Sequence, residues 1–524
     1  MMQQTPAKQL SPATRHRHSE RSRGLVLNLS KGTLCSLLVF LLLAIISQAS
    51  AQPNTIVING AAPAHPLPHF WEHMFGSGRA NLSLRDSYRR DLRDVKQATD
   101  FQYVRFHAIF LDDVGLYDED AQGNPLYNFS YVDQIYDGLL ENGVRPFVEL
   151  SFMPKKLASQ PDALHPFWYK QNVSPPKDWA KWDDLVYQFT KHLVDRYGLD
   201  EVSKWYFEVW NEPNIDFWAG QPKQSTYFEL YDHSVQSMKK VNSQLRVGGP
   251  ATAQAAWVDD LIKHCADNHI PLDFVSSHVY GNDSAKDVFG TTENIPRENM
   301  VCRSVKKVFD QIKASLMPDI PLFWSEFNAS YMNEPAVTDS TYMGPWLADT
   351  IRQCDGWVNE MSYWSFSDVF EEQGVVKQPF YGGYGLVAAG GIHKPAFNVF
   401  KILHLLGNER LDVNSDSALV TRRADGRLVV AVWNYAGPTP SSKTVQLRFA
   451  SVKARRANIY RVDRDHGDAH PAYERLGSPR YPTQAQLREI RQATELGTPE
   501  QREIKQGELS LEIPANGLAV VEIK

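Results

Sequence analysis

Residues Trp205–Asn214 read WYFEVWNEPN, and the order of residue types in that stretch decides the fold. An aromatic and β-branched run, of the kind that packs on a pleated surface, is cut off at Asn211-Glu212-Pro213. Pro213 has no N–H to offer a ladder, so the strand predicted over Trp205–Trp210 stops there. Glu212 is thereby delivered to the carboxyl end of a strand, directly after an amide side chain. In a parallel α/β barrel that end is the functional rim, where an acid reads as chemistry rather than packing.

Working outward, the same rhythm of apolar strand, polar loop and amphipathic helix recurs on both sides. Strands are expected at Phe70–Gly76, Tyr103–Phe110, Arg145–Phe152, Trp205–Trp210, Leu245–Gly249, Phe274–Tyr280, Leu322–Phe327 and Met361–Phe366. Helical periodicity fills the gaps, for example at Tyr131–Asn142, Trp182–Tyr197, Thr226–Val241 and Ser304–Leu316. Eight such units predict an α/β fold, a (β/α)8 TIM barrel over residues 69–405, with Glu212 after the fourth strand. Near Gly407-Asn408 the rhythm changes to short β runs without helices. Residues 406–524, joined by 52–68 with their early strand Thr55–Ile58, are expected to form an accessory β-sandwich. A charged segment at 484–498 reads as a small helical insertion in it.

The first 51 residues read as a leader rather than as part of the fold. Arg15, Arg17, Arg21, Arg23 and Lys31 precede the apolar run Leu34–Ile46, and Ala49-Ser50-Ala51 supplies a small-x-small cleavage site. The expectation is an exported protein, periplasmic or extracellular, with no stable membrane insertion once the signal peptide is cleaved. An uncleaved signal anchor is the rival reading. Loss of six Lys/Arg and one Glu takes the formal charge from −6 to −11. That acidity, with no basic aromatic-interleaved patch, argues against a nucleic-acid partner. Thirteen Trp and twenty-two Tyr suit stacking against sugar rings as well as core packing. Outside the leader stand Cys265, Cys302 and Cys354, an odd number with no CxxC spacing, which reads as buried thiols; one disulfide stays open in an oxidising compartment. No metal or nucleotide motif is present, so no cofactor is expected.

A second acid completes the pattern. Leu322–Asn328 reads LFWSEFN, again an apolar strand ending in a Glu between small or polar neighbours. Glutamates at the ends of strands four and seven of one barrel can stand about 5–5.5 Å apart, the spacing of a retaining glycosidase, whereas an inverting enzyme needs roughly 6.5–9.5 Å to admit water. An ionised Glu326 would keep Glu212 protonated as general acid, and esterification of Glu326 by sugar would release Glu212 to act as base. The two titrate as one coupled system. Asn333-Glu334-Pro335 repeats the tripeptide, but no apolar strand leads into it. Glu208, four residues before Glu212 and so in phase with it along the strand, is expected to support the site by pairing with Arg105.

WYFEVWNEPN together with FWSEFNASY (Phe323–Tyr331) resembles glycoside hydrolase family 39, the family of β-xylosidases and α-L-iduronidases. RFHAIFLDDVGLY at Arg105–Tyr117, RPFVELSFMPKKLA at Arg145–Ala158, DFVSSHVY at Asp273–Tyr280, YWSFSDVFEE at Tyr363–Glu372 and YGGYGLV at Tyr381–Val387 extend the resemblance, which runs from about residue 70 towards the C-terminus and includes GSPRYPT from Gly477. The bacterial β-xylosidase branch is the more similar. The resemblance implies Glu212 as acid/base and Glu326 as nucleophile, in agreement with the strand-end reading. It further implies Asn211 on the sugar 2-hydroxyl, His107, His278 and Tyr280 around the reacting sugar, Trp364 beneath it, and Glu371 and Glu372 on its hydroxyls. Phe152 is expected to wall off the C6 substituent that pentoses lack. Ser151 and Ala108 depart from the glycines expected beside Phe152 and His107, which bears on the sugar preferred. A homo-oligomer is compatible with the resemblance.

The expected function is therefore removal of xylose from the non-reducing ends of xylo-oligosaccharides by double displacement, with a small oligosaccharide as partner. The alternatives are the same mechanism on an α-L-iduronide, an α-L-arabinoside or an exopolysaccharide, or a barrel that binds carbohydrate without turnover.

Overall fold

The computed structural model describes residues 54–524 apart from 438 and 454; the expected leader lies outside the described residues. Eight strands close a parallel barrel in chain order. They are β1 (Met74–Ser77), β2 (Tyr103–Phe106), β3 (Arg145–Leu150), β4 (Tyr206–Val209), β5 (Arg246–Thr252), β6 (Phe274–His278), β7 (Leu322–Phe327) and β8 (Glu360–Tyr363). Every one of the eight neighbouring pairs is parallel, including the closing pair β8–β1. Among the described residues, no helix is long and apolar enough to cross a membrane.

The barrel's amino-terminal end is plugged by Met74, Phe147, Phe274 and Phe323, with Tyr103 and Tyr206 packed against them. Apolar rings close that end, so the polar inward-facing residues gather at the other. Beyond a half-buried first residue in five of them the strands are buried, and Leu322–Phe327 and Phe274–His278 are buried at every position. This is why they read as continuous apolar runs rather than alternating ones.

The C-terminal segment builds two sheets. Asn54–Asn59, Lys443–Ala450 and Glu508–Ile513 form the smaller one, the first pair parallel and the second antiparallel. Seven strands form the larger, ordered Ala64–Pro66, Glu409–Leu411, Ala418–Arg422, Leu428–Asn434, Gly517–Ile523, Arg456–Val462 and Glu500–Glu503. Ile56, Leu447, Leu511, Val430, Val521 and Ile459 fill the space between the sheets. The opposite face of the larger sheet, carrying Val429, Ala431, Trp433, Leu518 and Val520, joins the barrel's own core. Helices Met343–Cys354 and Pro395–Leu403 cover it.

The charged segment folds as helix Gln484–Ala493, begun by a capping box in which Thr483 and Gln486 satisfy one another's backbone amides. Its Ile490 joins Phe380, Ala388, Ile392 and Tyr473 in a small separate cluster. The reading of the cysteines as thiols needs correction. Cys302 and Cys354 form a disulfide, and only Cys265 is a free, buried thiol among the described residues. The partners stand 52 residues apart in the chain, on adjacent barrel helices Arg297–Lys313 and Met343–Cys354. Sequence spacing carries no signal of that helix–helix contact.

Candidate active site

At the carboxyl ends of the strands lies a cavity of about 460 Å3. After β4 the chain passes through Trp210 (φ +69°) and Glu212 (φ +44°), left-handed conformations that cost a non-glycine residue free energy. Surrounding bonds hold them. Trp210 Nε1 donates to the Phe217 carbonyl at 2.7 Å, and the Glu212 amide donates to the Ala251 carbonyl at 2.8 Å. Asn214 clasps Ala253 in both directions, at 2.9 and 3.0 Å. The turn thus projects Glu212 over the barrel mouth, with 9% of the residue left exposed.

Glu326, near the end of β7, is held by its neighbours. Its Oε1 accepts from Arg105 Nη1 at 2.6 Å and its Oε2 from the Tyr280 hydroxyl at 2.5 Å. Arg105 is wholly buried and also meets Glu208 at 2.6 Å, Glu149 at 2.8 Å and Asn211 Oδ1 at 2.9 Å. Burial works against the Arg105 charge, but Glu208, Glu149 and Glu326 outweigh it and raise its pKa. Carboxylate oxygens of Glu212 and Glu326 and a ring nitrogen of His278 lie within 4.8 Å of one another. The two acids are therefore near the retaining separation of about 5–5.5 Å and well inside the inverting one. These three donors are also of metal-ligating type. The Arg105 guanidinium, 2.6 Å from Glu326, already supplies the positive charge there and disfavours another.

The two acids sit in different fields. Burial, then the charges of Glu326 and Asp283, push Glu212 well above the ordinary carboxylate range, against the opposing effect of Arg105. Glu372 is pushed the same way by burial, Glu326 and Glu149. Burial brings His165 down to about 4 and drives His278 well below the usual imidazole range, so both rings are neutral at neutral pH.

Of the residues expected from sequence, Glu212, Glu326, Asn211, His107, His278, Tyr280, Trp364 and Glu372 all line the cavity. Gly76 makes room for Trp364: a Cβ there would lie 2.1 Å from the indole, so only glycine admits this ring against β1. Two expected residues stand elsewhere. Phe152 lies behind the wall, wholly buried, edge-on to Trp210 and stacked on Phe217, which takes the cavity-facing position. Glu371 turns away from the cavity. Its carboxylate is bonded by Arg79 at 2.9 Å and Arg85 at 2.6 Å, and only its neighbour Glu372 faces inward. The expected pairing of Glu208 with Arg105 is present, whereas Glu334 lies outside and pairs with Arg297 at 2.7 Å. Sequence reading missed Phe167, His165 and Phe217 on one wall and Tyr331 and Tyr384 on another. Tyr384 lies within the YGGYGLV stretch and Tyr331 ends the FWSEFNASY stretch already noted; Phe167, His165 and Phe217 sit in long loops with no periodicity to mark them.

The description "Glycosyl hydrolases family 39" belongs to the family pattern that matches residues 54–506. A β-xylosidase of Geobacillus stearothermophilus is 37% identical over 87% of this chain and 92% of its own. One from Caldicellulosiruptor saccharolyticus is 34% identical over 84% and 91% respectively. Among solved structures, a monomeric β-xylosidase from Caulobacter crescentus CB15 superposes with a TM-score of 0.81 at 33% identity, covering 90% of this chain and 99% of that one.

Proposed function

Because the chain belongs to glycosyl hydrolase family 39, we propose that it is a retaining β-D-xylosidase that releases xylose from the non-reducing ends of xylo-oligosaccharides. The observation that carries this reading is the pair of glutamates within 4.8 Å, one bonded through both oxygens and one driven towards its protonated form. In the first step Glu326 attacks the anomeric carbon while Glu212 gives its proton to the leaving oxygen. The glycosyl ester removes the Glu326 charge that had raised Glu212. Glu212 then takes a proton from water, which attacks the anomeric carbon and releases sugar with its configuration retained. Asn211 is assigned to the sugar 2-hydroxyl, its Oδ1 being occupied by Arg105 so that its amide N–H groups are free to donate. Trp364 is assigned to the floor and Glu372 to the ring hydroxyls.

Xylose is favoured by the relatives and by the charge of the site. Glu212, Glu326, Glu372, Asp216, Asp283 and Asp287 line the cavity, and no lysine or arginine does among the described residues. A uronate carboxylate would meet repulsion and no cation, which counts against the α-L-iduronide alternative. Export is supported by the basic-apolar leader and by the Cys302–Cys354 disulfide, since such bonds persist in oxidising compartments.

The test is a panel of nitrophenyl glycosides, comprising β-D-xyloside, α-L-arabinoside, β-D-glucoside and α-L-iduronide, with the first-formed anomer followed by NMR. The reading requires the β-xyloside to be cleaved best and β-xylose to appear first. Preference for the iduronide, or no turnover of any of the four, would overturn it.

A further inference from the structure

Glu212 has one hydrogen-bonded neighbour whose own bonds decide what it can offer. His278 Nδ1 stands 3.0 Å from Glu212 Oε1, and its Nε2 stands 3.0 Å from Ser325 Oγ. Ser325 donates its single proton to Glu208 Oε1 at 2.7 Å, and Glu208 Oε2 accepts from Arg105 Nε at 2.6 Å. Of the four side chains from His278 to Arg105, none is measurably exposed.

Proton accounting along this chain leaves one arrangement. Arg105 is a permanent donor to Oε2, and its charge opposes the upward push of burial on Glu208; the ionised Glu208 accepts on both oxygens and is the accepting end. Ser325 has spent its proton on Glu208 and must accept from its other neighbour, which places the His278 proton on Nε2. A neutral imidazole carries one proton, so Nδ1 is a lone pair facing Glu212. Only a protonated Glu212 can donate to it.

We propose that Glu208 and Ser325 are positioning residues which, acting through the tautomer of His278, hold the proton on Glu212 before the substrate is cleaved. The inference rests on the reading of Glu212 as the acid. It adds to general burial a directional cause for the proton's location: removal of either residue frees the opposite tautomer, with Nδ1–H donating to a Glu212 carboxylate. Other charged groups face this centre too. Glu326 stands 3.8 Å from His278 Nδ1, Asp283 follows β6, Glu372 follows β8, and Arg105 and His107 reach in from β2. All five are unchanged in the variants below, and the Ser325 variants leave every charge in place, so their shift isolates the chain itself; Glu208→Gln removes the Glu208 charge as well.

The experiment is the pH profile of kcat/KM for xylobiose and for an activated aryl β-xyloside in the full chain and in Ser325→Ala, Ser325→Thr and Glu208→Gln. The amide introduced by Glu208→Gln would keep its oxygen on Arg105 and turn its N–H towards Ser325. That reverses the donors along the chain and presents Nδ1–H to Glu212. In Ser325→Ala and Glu208→Gln the alkaline limb should fall by about one pH unit, the scale of one charge-type hydrogen bond. Xylobiose, whose leaving group needs the proton, should lose more activity than the aryl xyloside. Ser325→Thr, which keeps the hydroxyl, should restore the limb. An unmoved alkaline limb in both variants, or an equal loss on both substrates at every pH, overturns the proposal even when the unaltered enzyme is fully active. Absence of xylosidase activity in the unaltered enzyme would instead overturn the functional reading beneath it.

Discussion

Glu212 is where stability and chemistry oppose one another. Burial and the neighbouring acids raise its pKa in the folded chain, so between about 4.5 and that raised value the folded state binds more protons than the unfolded one. Stability contributed at this position is therefore present at low pH and lost as pH rises through the window. Glu212→Gln should raise Tm, with an increment that grows from pH 4.5 to pH 8, while xylobiose turnover falls by about 10²–10⁴-fold. A thermal-unfolding series at several pH values checks this; an increment independent of pH would contradict the electrostatic account. At the same scale the two strand-end glutamates were legible, because each closes an apolar run and nothing but backbone direction is needed to aim it. Glu371 and Glu372 were not separable in sequence. Adjacent loop acids have no period, and what draws Glu371 away is an arginine pair almost three hundred residues earlier in the chain.

The segment after β8 shows how an element is aimed at the cavity from both sides. Arg79 and Arg85 hold Glu371, and the Trp168 amide donates to the Glu372 carbonyl at 2.7 Å, so the loop is fastened to segments that follow β1 and β3. Arg79→Ala should leave a buried carboxylate with one partner, lower stability by about 1–3 kcal/mol, and raise KM for xylosides more than it lowers kcat. Denaturant titration and steady-state kinetics read the two effects; an unchanged KM would show that the loop keeps its place without the pair. Elements differ in how far their own residues announce them. Leu322–Phe327 was predicted to the residue, since its pattern is set by burial. The strands Ala64–Pro66 and Glu500–Glu503 are exposed at every position, pair only at the margins of the larger sheet, and had no hydrophobic signature to find.

Across the whole molecule, the larger C-terminal sheet has a core on each face, one shared with the smaller sheet and one with the barrel helices. That explains why Leu428–Trp433 and Leu518–Val521, within these strands, read as unbroken apolar runs, and why the sequence shows a change of rhythm without showing what covers the second face. The Cys302–Cys354 bridge joins the two helices that flank β7, the strand bearing Glu326. Closing a loop of 52 residues restricts the unfolded chain, so Cys302→Ser with Cys354→Ser should cost about 3–4 kcal/mol of unfolding free energy. A reductant should then lower the denaturant midpoint of the unaltered chain and leave that of the double variant unmoved. The measurement that bears most directly on the whole account is trapping of the covalent intermediate. The enzyme is incubated with an activated 2-deoxy-2-fluoro-β-xyloside, whose fluorine slows both steps while its good leaving group keeps the first fast enough for the ester to accumulate, and its peptides are then mapped by mass spectrometry. The account predicts one fluoroxylosyl ester, on Glu326, accompanied by loss of activity. An ester on any other residue, or turnover of β-xylosides with no ester formed, would contradict it.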